Sequence, residues 1–281
     1  MDAVVLAGAR NDGRLKDVDS AIYEALIDIC GKSMVSYVVD ALLKSKEIGR
    51  VVLVGPRHEL ETALIRDIQG FLDLIDKKVM LVESGDSLFG NIGKGINALA
   101  TQDPVLLITS DLPLITPDAI DDFISRCRSR GTAQVFYSII TKETNEARFP
   151  GMKRTYQKLK EGILTGGNLA IIHPAALIQA RKLIEMGIAS RKKPWLMAAV
   201  LGPKCIFRFI FGILRVQDVE ERFRKITGLT GYGVFSPYAE IAVDVDKPGH
   251  LELVRSHLTQ SSGRLGDNRS GIGNTSARKG A

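Results

Sequence analysis

Only three cysteines, Cys30, Cys127 and Cys205, are scattered along the 281 residues, none of them in a C-x-x-C pair. That scarcity excludes a thiolate zinc centre and a disulfide framework, and it suits a reducing, cytoplasmic setting. No stretch approaches the roughly 20 consecutive apolar residues that a bilayer span needs. The opening Met-Asp-Ala-Val-Val-Leu-Ala-Gly carries no basic residue and breaks at Gly8, so no secretory signal is expected. Internal repeats are absent, and so is any face on which basic and aromatic residues interleave. Of the net charge of +6, half lies beyond Gln260 in a Gly/Ser/Asn-rich tail with four cations and one acid. The remaining +3 is unremarkable, and no nucleic-acid partner is expected.

What is present is a 45% hydrophobic chain, long enough to bury one large core. Apolar runs rich in Val and Ile, at 3–6, 51–54, 79–82 and 105–109, alternate with helix-period stretches at 33–43, 59–69, 88–99 and 117–127. Strands too apolar to alternate faces, each followed by a helix, predict an α/β fold. Its sheet is mixed and mostly parallel, with helices on both faces. Ligands of such sheets bind outside the carboxyl ends of the strands, where Gly8 and Asp111 both fall.

The second half changes character. A further strand is expected at 133–140, and a β-arm beside the sheet from the alternation at 154–160 and the run 165–172. A helical block follows from 174 to about 227, with a helical insertion at about 188–228. A strand pair is expected around Val234 and at 240–245, and Pro248 opens a last helix to about Leu258. Residues 1–258 therefore read as one domain, and 259–281 as a disordered basic tail. Within the insertion, 198–214 contains Cys-Ile-Phe-Arg-Phe-Ile-Phe-Gly-Ile-Leu but is interrupted by Pro203, Lys204, Arg208 and Gly212. Too polar to span a bilayer, it suits packing under the site's rim or in a subunit interface, such as a homodimer, or contact with a membrane surface.

Two strand ends suggest chemistry. The first strand runs into Gly8-Ala-Arg-Asn-Asp-Gly-Arg-Leu-Lys16. This nearly matches the phosphate-binding pattern G-x-x-x-x-G-K-[ST], but Arg14 and Leu15 replace its last two residues, and G-x-G-x-x-G fails as well. Arg10, Arg14 and Lys16 still place three cations within seven residues, which suits a polyphosphate, although a solvated surface loop would look the same. Asp111, in Thr-Ser-Asp-Leu-Pro-Leu-Ile-Thr, leaves a strand at the same edge. A carboxylate beside a polyphosphate is tolerable with a divalent cation between them, and Mg²⁺ accepts both kinds of oxygen. Capping a turn is the plainer role for Asp111, but Thr116 already suits the helix that follows. Asp244 and Asp246 form a second acidic strand end, with Asp246 suited either to a second metal position or to capping the last helix.

Taken together, VVLAGA, GKSMVSYVVDAL at 31–42, SDLPLIT at 110–116, TGGNLAIIHP at 165–174 and VDVDKPGHLELV at 243–254 resemble nucleotidyltransferases of the glycosyltransferase-A-like, or nucleotide-diphospho-sugar transferase, fold. The molybdopterin-guanylyltransferase-like enzymes match best, with cytidylyltransferases of isoprenoid synthesis as cousins. The resemblance implies Mg²⁺-dependent transfer of a nucleotide from a nucleoside triphosphate (NTP) to a small phosphorylated acceptor. By position, Leu6, Ala7, Gly8, Ala9, Arg10, Gly90, Asn91 and Asp111 would contact the nucleotide. Arg10, Arg14 and Lys16 would hold its phosphates, Asp111 and Asp246 the metal, and Thr165, Gly166, Gly167 and Asn168 the acceptor. Two positions depart from the family pattern: Ala9 replaces a second glycine, and Glu24 stands where relatives keep a phosphate-holding lysine. These departures leave a silent nucleotide-binding protein as an alternative, and a glycosyltransferase using a nucleotide sugar as another.

Overall fold

A computed structural model describes residues 1–179, 181 and 194–270. Its main sheet has the order β10-β7-β9-β6-β1-β4-β5, with β8 paired to β9. The strands are β1 (Asp2–Leu6), β4 (Val51–Gly55), β5 (Val79–Glu83), β6 (Val105–Thr109), β7 (Val135–Thr141), β8 (Gln157–Leu159), β9 (Gly162–Ile172) and β10 (Gly231–Phe235). A separate two-stranded hairpin joins β2 (Asp28–Ile29) to β3 (Lys32–Ser33). In the main sheet β1 pairs in parallel with both β4 and β6, while β9 runs antiparallel to its neighbours β6 and β7.

Strand alternation sorts the core into two layers. Ala3, Val5, Val51 and Leu53 face α1 (Met34–Lys44), α2 (Arg57–Asp67) and α4 (Pro117–Arg130). Val4, Val52 and Val54 face α3 (Leu88–Leu99). Every β1 and β4 side chain named here is fully buried, which is why neither strand alternates apolar with polar. A Cβ on Gly95 would come within 2.5 Å of Val4, so the missing side chain lets α3 lie tightly on β1.

The structure revises several expectations. Residues 165–172 are not an arm beside the sheet. They belong to β9, a central strand whose register shifts between Tyr137 and Ile139 of β7. The segment 240–245 is not a strand: Ala239–Ala242 form a 3-10 turn and 243–247 continue as loop. A short helix, α5 (Lys142–Arg148), and the β2–β3 hairpin were not foreseen. The helical block contains α6 (Pro194–Ile210), kinked at Gly202 where φ is 75° just before Pro203, and α7 (Val216–Thr227). Residues 188–193 of the expected insertion lie outside the described residues. The last helix, α8, runs Pro248–Ser270, with no proline after 248 to stop it. The expected tail thus begins as helix, and 271–281 lie outside the described residues. Among the described residues no helix is long and apolar enough to cross a membrane.

Candidate active site

The loop after β1 is tied to the molecule rather than left free. Ala7 N–H donates to the Val54 carbonyl at 2.8 Å, and Gly8 packs so closely against Ser84 that a Cβ there would come within 2.8 Å. Buried Asn11 closes the loop: its Nδ2 donates to the carbonyls of Asp19 and Ala21, both at 3.0 Å. Backbone bonds from Asn11 to Ile22 and from Glu24 to Ala9 bring the returning chain alongside. Arg10, Arg14 and Lys16 are left exposed, with no ion pair among the described residues; Arg10 lies 5.7 Å over the Tyr23 ring. Three exposed cations beside a strand end suit a polyanion.

A small apolar cluster sets the neighbouring segments in place. Leu15 of the loop, Leu114 after Asp111, and Val243 and Val245 before Asp246 are buried together. Ser110 N–H donates to Leu6 O at 3.1 Å, and Val245 N–H to Asp111 O at 3.0 Å. Asp111 is therefore fixed through its backbone on both sides, and Asp246 follows one residue after that contact. Thr116 accepts from Ala119 N–H at 3.2 Å, capping α4 as expected, and donates to Glu240 Oε1 at 3.1 Å. Asp111 is not needed for the cap.

Its carboxylate is in tension with its surroundings. Asp111 Oδ1 is buried and accepts no hydrogen bond. Burial above all, with the nearby charge of Asp246, raises its pKa, partly offset by Thr109 and Arg154. Asp246 is instead held low: its Oδ1 lies 2.7 Å from His250 Nδ1, and that contact is the main cause. Its observed partner is thus the buried His250 ring, one helical turn along.

Arg154 carries the compensating charge, and local sequence offered no signal for it beyond an arginine in an alternating run. Only 13% of its side chain is exposed; it is ion-paired with Asp244, and its Nη2 donates to Gly166 O at 3.1 Å. Burial draws its pKa down while Asp246, Tyr137 and Asp111 draw it up, and a guanidinium stays charged under such conditions. Asn168 completes the link from β9, with Nδ2 3.3 Å from Asp244 Oδ1.

The acceptor-side reading of 165–168 needs a different physical basis. A Cβ on Gly166 would strike the Tyr137 hydroxyl at 2.5 Å, and one on Gly167 the Ser138 hydroxyl at 2.4 Å. Both glycines thus leave room for side chains of β7, and Thr165 is buried. At the other edge Asn91 Oδ1 accepts from Gly85 N–H at 2.7 Å and Ser87 caps Gly90 N–H at 3.0 Å. Gly90 and Asn91 therefore shape the β5–α3 loop.

Glu24 faces the acidic group. Its pKa is pushed up to about 7, first by burial and then by Asp111, Asp12 and Asp246. A carboxylate whose folded pKa lies above its ordinary 4.5 contributes stability that is complete below the ordinary value and lost as pH rises through about 7. Denaturant titrations of the metal-free protein should show that loss between about pH 5 and pH 8. Glu24→Gln should recover about 1 kcal/mol at the upper end, the full shift being cut by solvent screening of a half-exposed group. An unchanged midpoint at the upper pH would place Glu24 away from the other acids.

Comparison with known proteins identifies the family and the fold. A profile described as the MobA-like NTP transferase domain matches residues 3–190. A solved structure of a hypothetical transferase from Thermus thermophilus is 29% identical, with a TM-score of 0.74, covering 89% of this chain and 98% of its own. The chain is 26% identical over 131 residues to a 2-C-methyl-D-erythritol 4-phosphate cytidylyltransferase of Clostridium perfringens, a match covering 47% of this chain and only 55% of that enzyme. The CTP complex of a CMP:2-keto-3-deoxy-manno-octonic acid synthetase, 15% identical with a TM-score of 0.56, covers 92% of this chain and 99% of its own and shares the fold.

Proposed function

The chain belongs to the MobA-like NTP transferase domain family, and on that premise we propose that it transfers a nucleoside monophosphate from an NTP to a small phosphorylated acceptor. An acceptor phosphate oxygen forms a bond to the α-phosphorus, the bond to the bridging oxygen breaks, and pyrophosphate leaves. The observation that carries the reading is the unpartnered, buried Asp111 Oδ1 at the carboxyl edge of β6, beside a loop whose cations make no ion pair among the described residues. The curated relative, named for a polyol phosphate and a cytidine nucleotide, supports a phosphorylated acceptor and makes CTP the first triphosphate to try.

The residues present suit a divalent cation. Asp111 Oδ1 lacks any donor, and Asp246 is close enough to affect its ionisation. Among the described residues no three His, Cys, Asp or Glu side chains converge as a cage. Mg²⁺ needs none, since it binds through one or two carboxylates plus phosphate and water. Asp111 and Asp246 would hold it, and when bound it supplies neutralisation of the phosphate charge. The chain itself does the positioning: Arg10, Arg14 and Lys16 orient the triphosphate, and the acceptor lies against the β9 side. Arg154 there balances Asp244 and its acidic neighbours, so that the acceptor phosphate is not repelled.

One observation favours a second reading. Glu24 adds a carboxylate where a triphosphate gains from a cation, which suits a protein that binds nucleotides without turning them over. A screen of four triphosphates against sugar and polyol phosphates with Mg²⁺, read as pyrophosphate release, separates the two. Transfer is expected with at least one pairing. Nucleotide binding without release under every pairing would establish the silent form, and release of nucleoside diphosphate from a nucleotide sugar would point to glycosyl transfer.

A further inference from the structure

The region beyond the catalytic motifs has its own charge and its own surface. Residues 178–228 hold eleven Lys and Arg against four Asp and Glu, a net +7 in a chain whose total is +6. Most of the segment lies beyond the residues 3–190 that match the family profile. Its tip was expected to suit packing under the site's rim or in a subunit interface, or contact with a membrane surface, and several of its apolar side chains are exposed. Phe207 is 59% exposed, Ile210 72%, Phe211 62% and Ile213 50%. The Phe207 and Phe211 rings stack at 4.4 Å between centroids, one helical turn apart. Exposed Lys204 lies on the same helical face, and exposed Arg215 follows the tip directly.

The tip is fastened to the body. Arg208 is ion-paired with Asp218 of α7. Lys160 N–H donates to Leu214 O at 2.8 Å, and Val216 N–H to Glu161 Oε1 at 3.1 Å. Those bonds seat it on the β8–β9 turn, from which β9 leads to Thr165–Asn168. A clustered apolar patch, hydrogen-bonded to the body at its base, marks an interaction surface.

We propose that this tip docks the protein on the surface of a membrane rich in anionic lipid, with the Phe and Ile side chains entering the headgroup boundary and Lys204 and Arg215 meeting lipid phosphates. Charge and shape together select that partner. A second copy of this chain docked tip to tip would bring Lys204 and Arg215 against their own counterparts. A nucleic acid would satisfy the cations but leave Ile210 and Ile213 in water. A lipid surface offers hydrocarbon and phosphate at once, and basic residues beside Phe and Leu-type side chains are the composition of interfacial helices. The proposal does not depend on nucleotidyl transfer.

Sedimentation of the full chain with vesicles tests it. Binding is expected to phosphatidylcholine vesicles containing phosphatidylglycerol, not to phosphatidylcholine alone, and should weaken as salt rises. The exposed double variant Phe207→Ser with Phe211→Ser should lower the partition coefficient by about tenfold or more. Lys204→Glu with Arg215→Glu should abolish the preference for anionic vesicles, and an unchanged melting temperature would show that both variants are folded. Wild-type protein that ignores anionic vesicles at low salt, or a Phe variant that binds them undiminished, overturns the proposal. So does a wild-type dimer that the Phe variant turns into monomer, or tip-dependent capture of duplex DNA in place of vesicles.

Discussion

Replacing Asp111 with asparagine is expected to reduce Mg²⁺-dependent pyrophosphate release by about a thousandfold, or roughly 4 kcal/mol of transition-state stabilisation. The size follows from what is lost: a charged oxygen ligand where phosphate charge must be neutralised, replaced by an amide of the same shape. The same substitution should stabilise the metal-free protein. Burial raises the pKa of Asp111, so at alkaline pH the folded wild type bears the cost of an ionised, buried carboxylate whose Oδ1 has no donor. The favourable protonated state is fully populated below the ordinary pKa of 3.8 and is lost as pH rises through the raised value. The neutral amide of Asp111→Asn avoids that cost, so the variant's advantage, about 1 kcal/mol, should be present at pH 8 and shrink toward pH 4. Opposite signs in the two assays identify a group held under strain for its chemistry. A variant that loses activity and stability together would mark Asp111 as merely structural.

Arg154→Met is expected to be the most damaging single change to stability, at about 3 kcal/mol, which lowers the melting temperature by several degrees. Methionine fills much of the volume but leaves Asp244 without its ion-pair partner and Gly166 O without its donor. Asp111 and Asp246 lose a nearby positive charge at the same time. The loss should be only partly repaired by Arg154→Lys, which keeps the charge but not the two-pronged geometry. Thermal unfolding of the three proteins at pH 8 checks this. A lysine variant no more stable than the methionine variant would mean that the positive charge contributes nothing.

The parallel half of the fold was legible because each of its elements announces itself locally. Apolar runs gave β1, β4, β5 and β6 within a residue or two, and Thr116 and Pro117 marked the start of α4. The candidate site was half legible for the same reason: Asp111 and the cationic loop stand at the ends of those strands. Arg154 stayed hidden, since nothing in its neighbourhood of 150–156 shows that it will meet Asp244, some ninety residues later in the chain. That Gly166 and Gly167 make room for Tyr137 and Ser138 was equally invisible, because the sequence does not say which neighbour a glycine accommodates.

The amino-acid order alone determined which segments are strands buried on both faces, and that a carboxylate and a set of cations stand at one edge of the sheet; hydrophobic periodicity is a local property, and it survives any rearrangement of the whole. Only the tertiary structure decided that β9 threads antiparallel between β6 and β7, that Asp246 bears on the ionisation of Asp111 and Asp111 on that of Glu24, and that Phe207, Ile210, Phe211 and Ile213 of the insertion are exposed. Each of those depends on contacts between segments far apart in the chain, whose energies are summed only once the sheet has closed.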